Sequence, residues 1–356
     1  MAGPHPPNRA SYDAPVHDGQ QPPGAAAQRS GPPYQGPITW DSSDLLTEPQ
    51  QLDERRPDVA VVGAPWDDGT TFRPGARFGP RALRADAYQP GDHHLDFGLT
   101  ITDHLDVVDF GDAICPPGMW DASFAAIRDR VHTIASRGIF PVILGGDHAI
   151  TYPAASAVAD ALDGSLGMIH FDAHADTADS IYGNPASHGT PMRRLLESGA
   201  IAGPNFVQVG LRGYWPGPDV LEWMHEQGLR WHRMEELWQR GMTAVIGDAI
   251  AEALDGPDAI YLSVDIDVLD PGFAPGTGTP EPGGMNPADL LRAVRRIAME
   301  TNIVALDVVE VSPPYDWAAT TINNAHRVVR EVVTALAWKI AGRPPLPPAT
   351  VADGRG

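Results

Sequence analysis

Short apolar runs alternate with longer stretches of helical periodicity along most of the chain. The runs are bounded by Gly, Pro or Asp and span 59–64, 105–110, 140–144, 166–171, 206–209, 260–264 and 303–309. Runs this short and apolar are typical of strands whose two faces are both buried. Between them, apolar residues recur at helical spacing over 121–137, 149–162, 218–228, 242–255, 286–301 and 324–341. This alternation predicts an α/β fold in which helices cover both faces of a parallel sheet.

The two ends of the chain differ in composition from the middle. Residues 1–37 are rich in Pro, Gly, Ala and Gln, so they bury too little apolar surface to offset the entropy cost of ordering. We expect a disordered tail there, or alternatively a segment that covers a partner subunit or the mouth of an active site. Residues 343–356 predict a second loose tail. No boundary or repeat interrupts 38–342, which predicts a single catalytic domain.

Composition excludes several classes of function. The chain carries 46 Asp and Glu against 25 Lys and Arg, a formal charge of −21, which disfavours nucleic acid and attracts cations such as metals and amines. The single cysteine, Cys115, excludes an internal disulfide and a cysteine-based metal site, and it fits a reducing, cytoplasmic setting. No apolar run approaches the roughly 18 residues that span a bilayer, and the N-terminus lacks a secretory pattern. We therefore expect a cytoplasmic protein without a membrane partner.

Imidazole and carboxylate groups follow four of the predicted strands. The segments are Gly145-Gly146-Asp147-His148, Asp172-Ala173-His174-Ala175-Asp176, Asp265-Ile266-Asp267, and the pair Asp307 and Glu310. Ligands of open parallel sheets bind beyond the carboxyl ends of the strands. In an extended segment every second side chain points to the same side, so Asp172, His174 and Asp176 can converge. The spacing predicts a site at this edge of the sheet.

Six of these side chains are candidate metal ligands: His148, Asp172, His174, Asp176, Asp265 and Asp267. A lone Asp-x-Asp at a strand end is usually a turn or a helix cap, but three such clusters after three buried strands are not independent. Carboxylates and imidazoles crowded into one cleft need cations for neutralisation. Mixed ligation of this kind suits Mn²⁺ and also permits Ni²⁺, Co²⁺ or Zn²⁺. Six ligands exceed the need of one metal that also binds water, which predicts two metals with bridging carboxylates.

The motifs resemble those of the ureohydrolases, the family of arginase, agmatinase, guanidinobutyrase and proclavaminate amidinohydrolase. The resemblance covers about 58–340, and RGYWPG at 212–217 is most similar to the agmatinase and proclavaminate amidinohydrolase branch. The matching stretches are Gly145-Gly146-Asp147-His148, HFDAHADT at 170–177, SHGTPMRRLLESG at 187–199, SVDIDVLDPGFAPGTGTPEPGG at 263–284, DVVEVSPPYD at 307–316 and PGARFGPRALR at 74–84.

The resemblance implies a three-layer α/β/α fold with a mainly parallel eight-stranded sheet, two Mn²⁺ ions and a trimeric or hexameric assembly. One metal would bind His148, Asp172, Asp176 and Asp265, and the other would bind His174, Asp172, Asp265 and Asp267. Asp172 and Asp265 would bridge. Three further roles are implied for catalysis: Glu310 binds the guanidinium, Asp176 passes a proton to the leaving amine, and His188 exchanges protons with solvent.

The function expected from the resemblance is hydrolysis of agmatine to putrescine and urea. The alternatives are another guanidine (4-guanidinobutyrate, a proclavaminate-type acid, free or N-alkyl guanidine, with nickel in place of manganese), a one-zinc amide deacetylase, or a non-catalytic metal-holding subunit. The unusual stretch WAATTINNAHRVV follows Asp316, which we expect near the pocket rim, and it favours an unusual guanidine. The far end of the substrate would meet the loops 179–187, 212–218 and 66–73, with Tyr214 and Trp215 as candidate lining residues. Asp147 either orients a ligand or caps a helix, Asp307 is expected to be structural, and the remaining histidines receive no role.

Overall fold

The apolar runs of the sequence form a nine-stranded sheet in the computed structural model, which describes residues 38–89, 91–162 and 164–342. The tails predicted for 1–37 and 343–356 lie outside the described residues. The strands in chain order are β1 (Asp44–Leu45), β2 (Val59–Ala64), β3 (His93–His94), β4 (Leu99–Thr100), β5 (Val107–Asp112), β6 (Phe140–Gly145), β7 (Leu166–Phe171), β8 (Phe206–Leu211), β9 (Arg230–Arg233), β10 (Ala259–Asp265) and β11 (Ile303–Val309).

Ten helices flank these strands within the described residues. They are α1 (Pro49–Arg55), α2 (Gly79–Ala85), α3 (Trp120–Ala135), α4 (Thr151–Ala161), α5 (Pro191–Ser198), α6 (Pro218–Glu226), α7 (Met234–Arg240), α8 (Met242–Ala253), α9 (Pro287–Glu300) and α10 (Thr320–Ile340). None of the described helices combines the length and apolarity that crossing a bilayer requires.

The main sheet has the order β1-β5-β2-β6-β11-β10-β7-β8-β9, and all of its pairings are parallel. The resemblance implied eight strands, and the ninth is short: β1 adds only two residues at one edge, beside β5. Strands β3 and β4 form a separate antiparallel pair. The central strands β6, β11, β10 and β7 lie side by side, so the segments that follow them meet at one place.

Alternation along each strand separates two apolar cores. In β2, Val59 and Val61 pack in the core that includes α2, α8, α9 and α10, whereas Ala60 and Val62 pack in the core that includes α1, α3, α4, α5 and α6. Successive strand residues point to opposite faces, so a strand that is apolar at every position needs a helical layer on both sides. The protein therefore has the predicted three-layer α/β/α architecture.

The sequence pattern missed the two edge strands of the main sheet, β1 and β9, and also the separate two-residue strands β3 and β4. The edge strand β9 reads Arg230-Trp231-His232-Arg233 and pairs only with β8 among the described residues. An edge strand needs no continuous apolar run because its outer side is open to solvent. The missed helices α1, α2, α5 and α7 each have only seven or eight residues, too few for a clear helical period.

Candidate metal centre and active site

The six predicted ligands come together where the central strands end. Val264 of β10 pairs with Phe171 of β7, and Asp265 pairs with Val309 of β11. The carboxyl ends of these three strands are therefore in register. His148 begins a short 3₁₀ helix just after β6. The side chains that converge are His148, Asp172, His174, Asp176, Asp265 and Asp267.

One group of side chains converges on the Nδ1 atom of His148. This nitrogen lies 3.1 Å from one carboxylate oxygen of each of three aspartates, Asp172, Asp176 and Asp265. The other ring nitrogen, Nε2, lies 3.0 Å from the hydroxyl of Ser263, which keeps Nδ1 aimed at the acids. A proton on Nδ1 forms a good hydrogen bond with one carboxylate at a time, whereas a cation among the three oxygens neutralises all of them.

A second group is built on His174. Its Nδ1 lies 3.1 Å from Oδ2 of Asp267 and 3.5 Å from Oδ1 of Asp172, and these candidate ligand atoms all lie within 4.8 Å of one another. Asp172 offers Oδ2 to the first group and Oδ1 to the second, which is the geometry expected of a bridging carboxylate. Asp265 faces the first group through Oδ2, while its Oδ1 accepts a hydrogen bond from the backbone N–H of Asp267. Its bridging role stays a prediction.

Burial makes this cluster electrostatically incomplete without cations. Burial raises the pKa of Asp265 well above its ordinary value, and the charges of Asp267 and Asp172 raise it further. Burial alone would lower the pKa of His148, but hydrogen bonds with Asp172 and Asp176 raise it well above the ordinary value. A divalent cation bound here would displace the protons of Asp265 and His148 and neutralise the carboxylates around it. The residues present therefore fit a pair of metals bound by imidazole and carboxylate groups.

His170 lies beside the candidate metal centre, and the sequence analysis left it without a role. Its Nε2 lies 2.9 Å from Oδ2 of Asp172, its Nδ1 lies 3.0 Å from the amide of Gln208, and its ring stacks on Phe206. The side chain is fully buried and fixes the orientation of the shared carboxylate. The signal was present, because His170 precedes Asp172 by two residues and so points to the same side of β7.

Glu310 has one carboxylate oxygen engaged and the other free. Oε1 accepts a hydrogen bond from the backbone N–H of His148 at 2.9 Å and lies 2.9 Å from Nδ1 of His188. Oε2 is buried and has no hydrogen-bond partner among the described residues. The backbone φ of Glu310 is 62°, a left-handed conformation that costs a non-glycine residue roughly 1–3 kcal/mol. A buried, unpartnered acceptor held on strained backbone is a binding position for an N–H donor.

His188 links Glu310 to the loop that follows β2. Its Nε2 lies 2.8 Å from the hydroxyl of Thr71 and accepts a hydrogen bond from the Thr71 backbone N–H at 3.2 Å. Burial alone would lower the pKa of His188, but the Glu310 carboxylate raises it to about 9. His188 also lines the cavity described below, so it is placed to hold a proton beside bound substrate.

Asp147 caps a helix and anchors a loop. Its Oδ1 accepts from the backbone N–H of Ala149 at 3.0 Å, and its Oδ2 accepts from the backbone N–H of Gly69 at 2.9 Å. No hydrogen bond joins Asp147 to a candidate ligand side chain within the described part of the chain. Of the two roles left open by the sequence, the capping role is therefore the one observed.

Two other aspartates support the fold. Asp307 is buried and accepts hydrogen bonds from the hydroxyls of Thr151 and Tyr261, which confirms the structural role expected of it. Asp316 is also buried, and it accepts from two N–H groups in the first turn of α10, at 3.0 and 2.8 Å. Asp316 was expected near the pocket rim, but it is buried and is not among the described residues that line the cavity; its carboxylate caps a helix. The unusual residues after it belong to that helix start.

A cavity of about 700 Å³ opens onto the metal centre. All three loops predicted to meet the substrate contribute to it, through Thr71, Ile181 and Trp215. The ring of Trp215 lies 6.4 Å from that of His174, so this side chain reaches the centre. Tyr214 is fully exposed and is not part of the described lining. Of the two aromatic candidates, the structure places Trp215 at the site.

Comparison with known proteins agrees with this architecture. The model of the Arginase family matches residues 57–335. The chain is 40% identical to the mitochondrial agmatinase of Gallus gallus over 82% of this chain and 85% of that protein, and 38% identical to the guanidinopropionase of Pseudomonas aeruginosa over 87% and 95%. The solved structure of proclavaminate amidino hydrolase from Streptomyces clavuligerus superposes with a TM-score of 0.79 at 34% identity, covering 86% of this chain and 99% of that one. The chain belongs to the arginase family and is a hydrolase that acts on the C–N bonds of guanidino compounds.

Proposed function

We propose that this protein hydrolyses agmatine to putrescine and urea with the help of two divalent metal ions, for which Mn²⁺ is the first candidate. The proposal rests on one observation above all. Two imidazole–carboxylate groups share Asp172 at the buried end of a cavity, beside an unpartnered oxygen of Glu310. One metal would bind His148, Asp172, Asp176 and Asp265, and the other would bind His174, Asp172, Asp265 and Asp267.

Glu310 would bind the guanidinium group. A planar guanidinium donates parallel N–H bonds to carboxylates, and Oε2 of Glu310 is the acceptor left open for them. Oε1 is already engaged by His148 and His188, so the carboxylate cannot rotate without losing those contacts. Glu310 would thereby hold the guanidinium carbon in one place. When the nucleophile is also fixed, such positioning accounts for much of the rate acceleration.

When bound, two metals would supply the nucleophile, because they lower the pKa of water and provide hydroxide at neutral pH. Asp176 would then carry a proton from the attacking water to the departing amine nitrogen. Burial raises the pKa of Asp176, and the neighbouring Asp172 raises it further, so this acid is suited to hold a proton in transit. His188 would exchange protons between the cavity and solvent.

Agmatine is the first substrate to test because two similar proteins are named agmatinases and because an acidic protein attracts cationic substrates. Other similar proteins are named for guanidino acids, so 4-guanidinobutyrate is the main competing substrate. Free or N-alkyl guanidine with nickel is the third candidate. The ligand types suit Mn²⁺ and Ni²⁺ alike.

We also propose a cytoplasmic setting, a single catalytic domain over 38–342 and a homo-oligomer of three or six chains. The reducing setting is supported by the single cysteine, Cys115. Burial and the charge of Asp112 raise the pKa of its thiol to about 12, so it is a poor nucleophile. Light scattering on the purified chain measures the oligomeric state, and a monomer would contradict that part of the proposal.

The decisive experiment measures urea released from agmatine, 4-guanidinobutyrate, arginine and guanidine by chain loaded with Mn²⁺ or with Ni²⁺. We expect two metals per chain by plasma mass spectrometry and agmatine as the best substrate. A single bound zinc with deacetylase activity would replace the proposal with the other hydrolase class. Two bound metals without urea from any guanidine would point to a non-catalytic subunit.

A further inference from the structure

The cavity has a mouth whose chemistry differs from that of its buried end. The buried end holds the acids and imidazoles of the metal centre, and the wall above them is apolar. That wall consists of Ala178, Ile181, Trp215 and Val220, and the charged side chains at the mouth are Asp179, Arg193 and Asp219. From its buried end to its mouth, the cavity is thus polar, then apolar, then charged. This order matches a molecule with a guanidinium, a short hydrocarbon chain and a second charged group.

Two of the three charged groups at the mouth are already paired. Nε of Arg193 lies 2.9 Å from Oε1 of Glu197, and its guanidinium lies over the ring of Trp223 at 4.3 Å. Asp179 lies 2.9 Å from Nη2 of Arg194 and 3.7 Å from Nε of Arg193. Arg193 is therefore neutralised and held aside, which leaves it poorly suited to receive a substrate carboxylate.

Asp219 is the remaining charged group. No hydrogen bond or ion pair to its carboxylate comes from any residue that the structure describes, and the residue is exposed. A Cβ placed on Gly217 would lie 3.0 Å from Oδ1 of Asp219, so the carboxylate folds over a residue that itself lines the cavity. Trp215 continues this wall down to His174. A continuous surface thus joins the metal centre to Asp219.

We propose that Asp219 binds the primary ammonium group at the far end of the substrate and thereby selects guanidino amines over guanidino acids, an inference that rests on the proposed function. An unpaired carboxylate at the mouth attracts the ammonium and repels a carboxylate in the same position. The apolar wall between the two ends accommodates the methylene chain. Asp219 sets specificity and takes no part in the reaction at the guanidinium carbon.

A purely structural role is the alternative. Asp219 lies in the first turn of α6, where an acid stabilises the helix through the dipole. Loss of that stabilisation would affect every substrate equally. A contact with the substrate ammonium would instead change the ratio between substrates that differ only at the far end, and this ratio would depend on salt.

The test compares kcat/KM for agmatine and n-butylguanidine, which share the guanidinium and differ in the amine. We expect Asp219→Asn to lower the agmatine to butylguanidine ratio about threefold to fivefold, the range of an exposed ion pair. Asp219→Lys should shift the ratio of agmatine to 4-guanidinobutyrate by roughly tenfold or more towards the acid. The matched control is Glu222→Gln, which removes the same charge from an exposed position of α6 outside the described lining and should leave both ratios as they are.

Salt provides an independent reading. The agmatine preference of the unaltered chain should decline between low and high ionic strength, and that of Asp219→Asn should be nearly flat. An unchanged ratio in Asp219→Asn, or equal losses for both substrates, would overturn the role of Asp219 while leaving the proposed function intact.

Failure of the proposed function has a separate signature. If no guanidine releases urea, dissociation constants of agmatine and n-butylguanidine are measured by calorimetry on the Mn²⁺-loaded chain. Tighter binding of agmatine that disappears in Asp219→Asn supports the inference without any turnover. Equal binding of the two compounds, or no binding of either, contradicts it.

Discussion

At the scale of single residues, the metal centre depends most on Asp172. Its two oxygens face different groups, and His170 and the backbone N–H of His174 hold its carboxylate in place. Asp172 is fully buried, so no solvent water can take the place of its carboxylate. The same carboxylate is therefore the most direct test of the two-metal arrangement.

Asp172→Ala should lose both metals, because a ligand common to both groups disappears. Plasma mass spectrometry after dialysis measures the metal content, and circular dichroism shows whether the chain is still folded. Asp307→Asn is the matched control, since it alters a buried acid on β11 whose hydrogen bonds, among the described residues, come from the hydroxyls of Thr151 and Tyr261. Retention of two metals by Asp172→Ala would remove it from the shared position.

Glu310→Gln is expected to separate binding of metal from turnover. The amide keeps the size of the side chain and one oxygen, but it loses the charge that attracts the guanidinium. Metal content should stay at two per chain, and kcat/KM for the guanidine should fall by roughly two orders of magnitude, about 3 kcal/mol. Unchanged kinetics would exclude Glu310 as the guanidinium-binding residue.

At the scale of elements, the site depends on how closely the loops after β2 and β6 approach each other. The backbone N–H of Asp147 donates to the carbonyl of Trp66, and a Cβ on Gly146 would lie only 1.7 Å from that oxygen. Glycine is therefore required at 146 by backbone contact. His148 follows two residues later, so any shift of this loop moves a candidate ligand.

Gly146→Ala should destabilise the protein by about 2–3 kcal/mol and weaken metal binding, since two backbones must separate. Gly247→Ala is the matched control. It lies inside α8, where only the flexible end of Arg296 is near, and alanine should stabilise the helix by about 0.5–1 kcal/mol. Urea unfolding of both variants measures the difference, and equal stability of Gly146→Ala and the unaltered chain would refute the contact argument.

At the scale of the whole molecule, one buried acid ties together elements that lie far apart in the chain. Glu331 of α10 pairs with Arg295 of α9 at 2.7 Å, with Arg327 at 3.1 Å and with His94 of β3 at 3.4 Å. Burial opposes the charge, but hydrogen bonds from His94 and Arg295 lower the pKa of Glu331 to about 2. The cluster joins the β3–β4 pair to the two long helices that cover one face of the sheet.

The contribution of Glu331 should depend on pH with a defined sign. A folded pKa near 2, against 4.5 for the ordinary glutamate, gives stability that is fully present above pH 4.5 and is lost as pH falls towards 2. The full contribution is roughly 3 kcal/mol. The difference in unfolding free energy between the unaltered chain and Glu331→Gln should therefore shrink as pH falls through this window, as measured by urea denaturation. A difference that is independent of pH would contradict the ion-pair account.

The sequence by itself determined the fold class, the central strands and the six candidate ligands. Strands buried on both faces must be apolar at every position, and a cation site at the sheet edge must be built from charged groups at strand ends. Both features can therefore be recognised in a short run of sequence such as 166–176. The edge strands β1 and β9 and the short helices lacked such a signal, because few of their residues need to be apolar.

Only the tertiary structure decided which neighbours each side chain meets. It placed His170 behind Asp172 and turned Asp147 and Asp316 into helix caps. It also left Asp219 at the mouth of the cavity without a partner among the described residues, while Arg193 was neutralised. These outcomes depend on contacts between residues distant in the chain. Residue type and spacing restrict which chemistry is available, but packing decides whether a polar group is satisfied within the protein or left open for a ligand.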